Sequence, residues 1–204
     1  MPHLLRIRSG SQHPSEPVVE ADFSDAELVA LAKADLRQFA LLYARYLDPV
    51  HRYCYRRLGS REAAEDATSL VFTNALTAFP HYRHASFRGW LFTIAHHVVT
   101  DRYRDDHPEH PLDTVAQLHD GSASPEELAL ADDERRSLTL LLTRLPDHQR
   151  QVVALRLAGL TSAEIAQALG RSPSNVDVTQ YRAVACLRVL LGLATPPQEA
   201  RNEG

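Results

Sequence analysis

Eleven histidines and 26 carboxylates are the side chains in this chain most able to do acid–base or metal chemistry, and their spacing argues against both. No nucleophile motif and no glycine-rich phosphate loop is present, and His96 and His97 are adjacent rather than one helical turn apart. His51 and Cys54 lie three residues apart, but two ligands do not make a metal site. Cys54 and Cys186 belong to no paired spacing, which excludes a disulfide scaffold and a self-contained cysteine zinc site; both read as buried thiols. No catalytic residue, metal or cofactor is expected. The other chemistry available is the binding of anions, and here the pattern is informative. The net charge is -4, yet it is strongly segregated. Residues 1–35 carry three basic and six acidic side chains, 36–104 ten and five, 105–134 none and ten, and 135–204 nine and five. Two basic blocks joined by a wholly acidic connector describe two anion-binding modules on an acidic tether; two ordinary helical domains with a solvated linker would share that composition.

The elements that must carry those charges are helical throughout. With 204 residues, 44% hydrophobic and 7% aromatic, the chain can bury one or two modest cores. Residues 1–24 hold three prolines and no apolar periodicity, and are expected to be disordered. From Asp25, Leu28, Leu31, Phe39, Leu42, Tyr43 and Tyr46 recur at helical spacing. Asp48–Pro49 reads as an N-cap with proline at N1, predicting a break and a new helix through Val50, Tyr53, Cys54 and Leu58 to Gly59. Ser60 caps a helix over 61–79 with Ala64, Ala67, Val71, Ala75 and Phe79 on one stripe, the other face being free for a partner. After the loop His81–Ala85, a helix from Ser86 turns Phe87, Trp90, Leu91, Ile94, Ala95 and Val98 inward.

Residues 105–123, with two prolines and five carboxylates, read as an extended acidic linker. Ser124, Pro125, Glu126 and Glu127 form a capping signal for a second domain that runs to about residue 192, before a short tail over 193–204. In it Pro146 and Asp147 open a helix that ends at Gly159, Thr161 and Glu164 make a capping box, Gly170 closes that short helix, and Ser172–Pro173 open the last one. Helix, tight turn and helix describe a helix-turn-helix, whose second helix lies in a DNA major groove. The expected fold is all-α: two small helical domains, 25–104 and 124–192, joined by a flexible acidic linker. No stretch approaches the roughly 20 apolar residues of a membrane span, and the first residues lack a signal-peptide apolar run, so no membrane insertion and a cytoplasmic location are expected.

These residues carry a specific resemblance. Ala64-Glu65-Asp66 with Phe72, then Phe87-x-x-Trp90-Leu91-Phe92-x-Ile94-Ala95 followed by Asp101 and Arg102, resembles region 2 of the extracytoplasmic-function (ECF, group IV) sigma factors. Leu145-Pro146, Glu164-Ile165-Ala166, Leu169-Gly170, Val176, Arg182-Ala183 and Leu187-Arg188 resemble region 4 of the same family, and the ordered pair covers about residues 36 to 192. The resemblance implies a protein that binds core RNA polymerase, directs it to a promoter and helps open the duplex. It implies −10 contacts from His81, Tyr82, Arg83, His84, Phe87, Arg88, Trp90, His97, Arg102 and Arg104, in which aromatic walls and polar donors receive a flipped base of the non-template strand and arginines neutralise phosphates. Phe87 and Trp90 also lie on the inward stripe, and His96 and His97 stand where the family usually has Arg and Asn.

For the −35 element the resemblance implies Arg171, Ser172, Ser174, Asn175, Asp177, Val178, Thr179, Tyr181 and Arg182, with Arg188 a further phosphate ligand. Inward-facing Val176, Gln180, Ala183 and Leu187 would turn that set toward the groove. For core polymerase it implies Glu65, Asp66, Ser69, Leu70, Phe72 and Thr73 against the beta-prime clamp helices, and region 4 against the beta flap. Ser69 and Leu70 replace the family's usual Gln and Glu, Asp177 and Thr179 stand where basic residues are common, and Gln180 where an apolar one is. These departures keep open a sigma-like DNA-binding regulator without promoter-opening activity. An anti-sigma protein is the expected controlling partner.

Overall fold

The computed structural model describes residues 23–106 and 137–193. Residues 1–22, residues 107–123 of the expected linker, the capping signal at Ser124–Glu127 and all but the first residue of the tail lie outside the described residues. Ser24, expected in a disordered extension, caps the first helix, and Asp105 and Asp106, expected in the linker, continue the fourth.

The first four helices are α1 (Asp25–Ala34), α2 (Phe39–Leu58), α3 (Arg61–Ala78) and α4 (Phe87–Asp106). Single 3-10 turns, Leu36–Gln38 and Phe79–His81, join α1 to α2 and follow α3. The starts of α1 and α3 are capped by side chains. Ser24 and Glu27 make a reciprocal capping box at α1, and Ser60 Oγ accepts from the Ala63 N–H at α3. Gly59, at φ 74°, ends α2 in the left-handed conformation. The stripe Ala64, Ala67, Val71, Ala75 and Phe79 is buried, small residues letting α3 lie close to its neighbours.

The predicted break at Asp48–Pro49 does not occur: α2 runs through Pro49. Proline inside a helix removes one backbone hydrogen bond and costs about 3 kcal/mol. Here it is offset by the continuous apolar face on either side, because Tyr46, Val50, Tyr53 and Cys54 are all 2% exposed or less, and a break would take half of that face out of the core.

The C-terminal region comprises the helical residues 137–143 (α5), α6 (Asp147–Leu157), α7 (Ser162–Leu169) and α8 (Pro173–Leu190). The Thr161–Glu164 capping box is formed, Gly170 closes α7 at φ 63°, and Ser172 caps α8 with Pro173 in its first turn. No strand occurs among the described residues. The two helical regions do not stand apart. One contiguous cluster of buried side chains runs from Leu28 in α1 to Val176 in α8, with α4 packed on α7 and α2 on α6. A smaller cluster, Leu142, Leu145 and Ala183, ties α5 to α8.

Candidate nucleic-acid interface

The loop between α3 and α4 is built on an aromatic cluster. Phe79 lies edge-on to Phe39 at 5.1 Å between ring centroids, and Tyr82 edge-on to Trp90 at 5.0 Å. Tyr82, Phe87 and Trp90 are 5%, 2% and 9% exposed. As the structure stands they cannot present open faces to a base; they form the floor under the loop, for the packing reason already visible in the inward stripe. His84 is exposed and stacks over Trp90, with His81 and Arg83 exposed beside it. Arg83 donates from Nη1 to the Tyr82 carbonyl at 2.8 Å, which folds it over its own loop, and Lys33 of α1 lies over the Tyr82 ring.

Further along α4, Arg88 is half-buried, His97 exposed, and Arg102 half-buried 3.4 Å from Asp66 of α3. Arg104 lies in the last turn and a half of the same helix. On α3, Glu65, Asp66, Ser69, Leu70 and Thr73 share the exposed face, with Ser69 and Thr73 hydroxyls returned to carbonyls one turn back. Phe72 is 5% exposed and packs on Tyr43 at 4.6 Å. Expected against polymerase, its ring lies in the core of the N-terminal helices.

The second helix of the helix-turn-helix, α8, exposes Ser174, Asn175, Asp177, Val178, Tyr181 and Arg182 along one face, with Ser172 at its cap and half-buried Arg171 before it. Val176 and Ala183 point inward as expected. Thr179, expected on the groove side, is 7% exposed; it takes the inward position, and Gln180 lies at the rim, where its side-chain oxygen accepts from Arg156 Nε at 2.8 Å. Arg156 also donates to Ser162 Oγ, which in turn donates to Asp177 at 2.6 Å. The acid that looks misplaced on a DNA-facing helix is thus bound to the start of α7, and Arg156 Nη2 lies 3.9 Å from it, so part of its charge is neutralised within the motif.

Contacts that sequence spacing did not reveal join the two regions. Asp147 at the start of α6 accepts from Arg57 of α2 at 2.8 Å, from Arg150 at 2.8 Å and from Gln151 at 2.6 Å. All three charged side chains are 8% exposed or less. Burial opposes the Asp147 carboxylate, but the two guanidiniums prevail and hold its pKa below the usual range. Nearby, burial first, then the charges of Arg57 and His97, push His96 down to about 4. At the other end of the interface Glu164 serves two helix starts. One carboxylate oxygen accepts from the Thr161 N–H and hydroxyl at 2.8 and 2.9 Å, and the other accepts from Ser86 Oγ, the hydroxyl that caps α4 by accepting from the Gly89 N–H. Arg88 donates to the Gly159 carbonyl at 3.1 Å. The nearest sequence signal was the Thr161–Glu164 capping box itself, which says nothing about a second partner.

Comparison with known proteins agrees with this arrangement. The sequence matches Sigma-70 region 2 over residues 42–108 and Sigma-70 region 4 over residues 135–187. It is 35% identical to the ECF RNA polymerase sigma factor BldN of Streptomyces coelicolor, over 86% of this chain and 67% of that one. It is 38% identical to the ECF RNA polymerase sigma factor ShbA of Streptomyces griseus, over 68% and 80%. Among solved structures, CnrH in complex with the cytosolic domain of CnrY superposes with a TM-score of 0.65 at 25% identity, covering 84% of this chain and 99% of that one. The sigma factor RpoE of Bartonella quintana, in complex with the anti-sigma factor NepR, shares the fold at a TM-score of 0.59 and 18% identity, over 78% and 99%. With both sigma regions in order on an all-helical frame, the chain belongs to the ECF RNA polymerase sigma factors and recognises promoters for RNA polymerase.

Proposed function

We propose that this sigma factor, of group IV, works in the cytoplasm without catalysis or cofactor of its own, through two DNA faces and one polymerase face. The helices of residues 25–104 act as the region 2 domain and those of 124–192 as the region 4 domain. The loop from His81 to His84 with Arg88, His97, Arg102 and Arg104 meets the −10 element, on the floor of Tyr82, Phe87 and Trp90. The exposed face of α8, Ser174, Asn175, Asp177, Val178, Tyr181 and Arg182, enters the major groove at −35, with Arg171, Ser172 and Arg188 on the backbone. Asn175 reads adenine and Arg182 holds phosphate, the ordinary work of those side chains.

The exposed face of α3, Glu65, Asp66, Ser69, Leu70 and Thr73, meets the beta-prime clamp helices, and region 4 meets the beta flap. An anti-sigma protein controls the factor, in keeping with RpoE, a sigma factor of this fold that is bound by such a partner. The observation that carries the reading is the polar, outward face of α8 on a fully capped helix-turn-helix, in a chain that also holds region 2. Run-off transcription with purified core polymerase on fragments of the organism's own DNA tests it. Discrete start sites that depend on the added protein are expected; binding to core without initiation would favour the regulator.

A further inference from the structure

Asp177 is the only acidic residue of α8, and a relay of hydrogen bonds fixes it. One carboxylate oxygen, Oδ1, accepts from Ser162 Oγ at 2.6 Å. That hydroxyl is itself oriented by Arg156, whose Nη2 donates to it at 2.6 Å, so its single proton is committed to Asp177. Arg156 is fixed in turn: Nε donates to Gln180 of α8 at 2.8 Å and Nη1 to the Leu160 carbonyl at 2.9 Å. One guanidinium thus ties the end of α6, the turn after it, the start of α7 and the middle of α8. The other carboxylate oxygen, Oδ2, has no partner among the described residues, and the Asp177 side chain is 62% exposed.

A carboxylate moving freely among phosphates weakens DNA binding without reading sequence. A pinned one with a spare oxygen is an acceptor of fixed position. Along the major groove the exocyclic amino groups of cytosine and adenine are the donors, whereas guanine and thymine present acceptors only. Adenine sets its N7 acceptor beside the amino group, which repels a carboxylate, so cytosine is the base that matches it. Asp177 stands in the N-terminal half of α8, one turn from Ser174 and from Tyr181, in the part of a recognition helix that meets base edges.

We propose that Asp177 is a specificity-determining residue that accepts from a cytosine amino group in the −35 element through Oδ2, with Ser162 and Arg156 as its positioning residues. The proposal rests on the assignment of α8 to the −35 major groove. It adds which base is selected and what holds the selecting group. The Arg156 charge, 3.9 Å from Asp177, also offsets the repulsion between this carboxylate and the DNA backbone.

Holoenzyme assembled from core polymerase and the full chain tests it, on a promoter located by run-off transcription and substituted base by base across its −35 element. Wild type should prefer cytosine over guanine or thymine at one position, by roughly fivefold or more in affinity. Asp177→Ala should flatten that position alone, and Asp177→Asn should turn it toward adenine, whose N6 and N7 match a carboxamide. Ser162→Ala should weaken the preference and leave the other positions unchanged, while Ser162→Thr, which keeps a hydroxyl, should retain it. Equal losses on every sequence would make Ser162 merely structural and remove it from the relay. A cytosine preference that survives Asp177→Ala, or none in the wild type, overturns the proposal and leaves α8 in the groove. So does an Asp177→Ala protein that binds every −35 sequence more tightly with unchanged preferences, because the carboxylate then only repels phosphate. Start sites indifferent to every −35 substitution count instead against the assignment of α8 itself.

Discussion

His96 shows how one buried residue makes a stability profile. Its imidazole is held down to about 4, first by burial and then by Arg57 and His97, and its Nδ1 lies 3.4 Å from the Tyr53 hydroxyl. The unfolded chain takes up a proton near the ordinary value of 6.5, while the folded chain refuses it until about 4. A depressed histidine pKa therefore leaves stability intact above 6.5 and removes it progressively as the pH falls from 6.5 toward 4, by about 2 kcal/mol at pH 5. Asp147 acts below that window: its carboxylate is also held low, so its contribution is complete above the ordinary carboxylate range and is lost only as the pH falls through the lowered value. His96→Gln should abolish most of the change in urea midpoint between pH 7 and pH 5 while leaving the loss below pH 4. An undiminished change between pH 7 and 5 would assign that window to another histidine.

At the scale of elements, helix starts and stops were legible because capping is local chemistry. Ser60, Thr161 and Ser172 each cap the helix that their spacing announces, whereas Ser24, read as part of a disordered extension, caps α1 unannounced. Pro49 was misleading because its local signal competes with a long-range term, the continuous buried face of α2, that spacing alone does not weigh. On α8 an inward stripe drawn through Val176, Gln180 and Ala183 is off by one residue at its middle, where Thr179 is the buried member. A seven-residue interval admits either, and Arg156 settles it by drawing Gln180 to the rim. The exposed faces of α3 and α8 could be read from the pattern; the burial of Phe72 against Tyr43 depends on a partner 29 positions away and could not. Gly170 offers a clean test of local conformation. It sits at φ 63° with none of the described residues within 4 Å of where a β-carbon would stand, so Gly170→Ala adds backbone strain and no collision with them. A loss of about 1 to 2 kcal/mol is expected by urea unfolding, with Gly170→Asn losing less, since asparagine tolerates the left-handed region. Equal losses for both would mean that the turn reshapes instead of straining.

The whole molecule is two sigma regions sharing one core, and this is the feature furthest from anything spacing reports, because every contact that makes it crosses the acidic connector in sequence. The Arg57–Asp147 pair spans 90 positions and the Ser86–Glu164 bond 78. The buried charges are not a source of net stability on their own: Arg57 Nε and Arg150 Nε have no hydrogen-bond partner among the described residues, and desolvating three charges offsets much of their attraction. What they supply is a single allowed seating, since any other would leave a guanidinium or the carboxylate buried alone. Asp147→Asn keeps the size of the side chain and gives up only a modest favourable charge at the first turn of α6, yet it strands two guanidiniums, a change worth about 3 to 5 kcal/mol where the charges stay buried. The two regions can avoid that cost by separating, whereas a single fused core cannot. Calorimetry of the wild-type chain should therefore show one cooperative unfolding transition, and Asp147→Asn should divide it into two, the C-terminal helices melting as their own unit. One transition at a lower temperature would mean that the apolar contacts between α4 and α7 suffice to hold the regions together, and that the ion cluster only adjusts their fit.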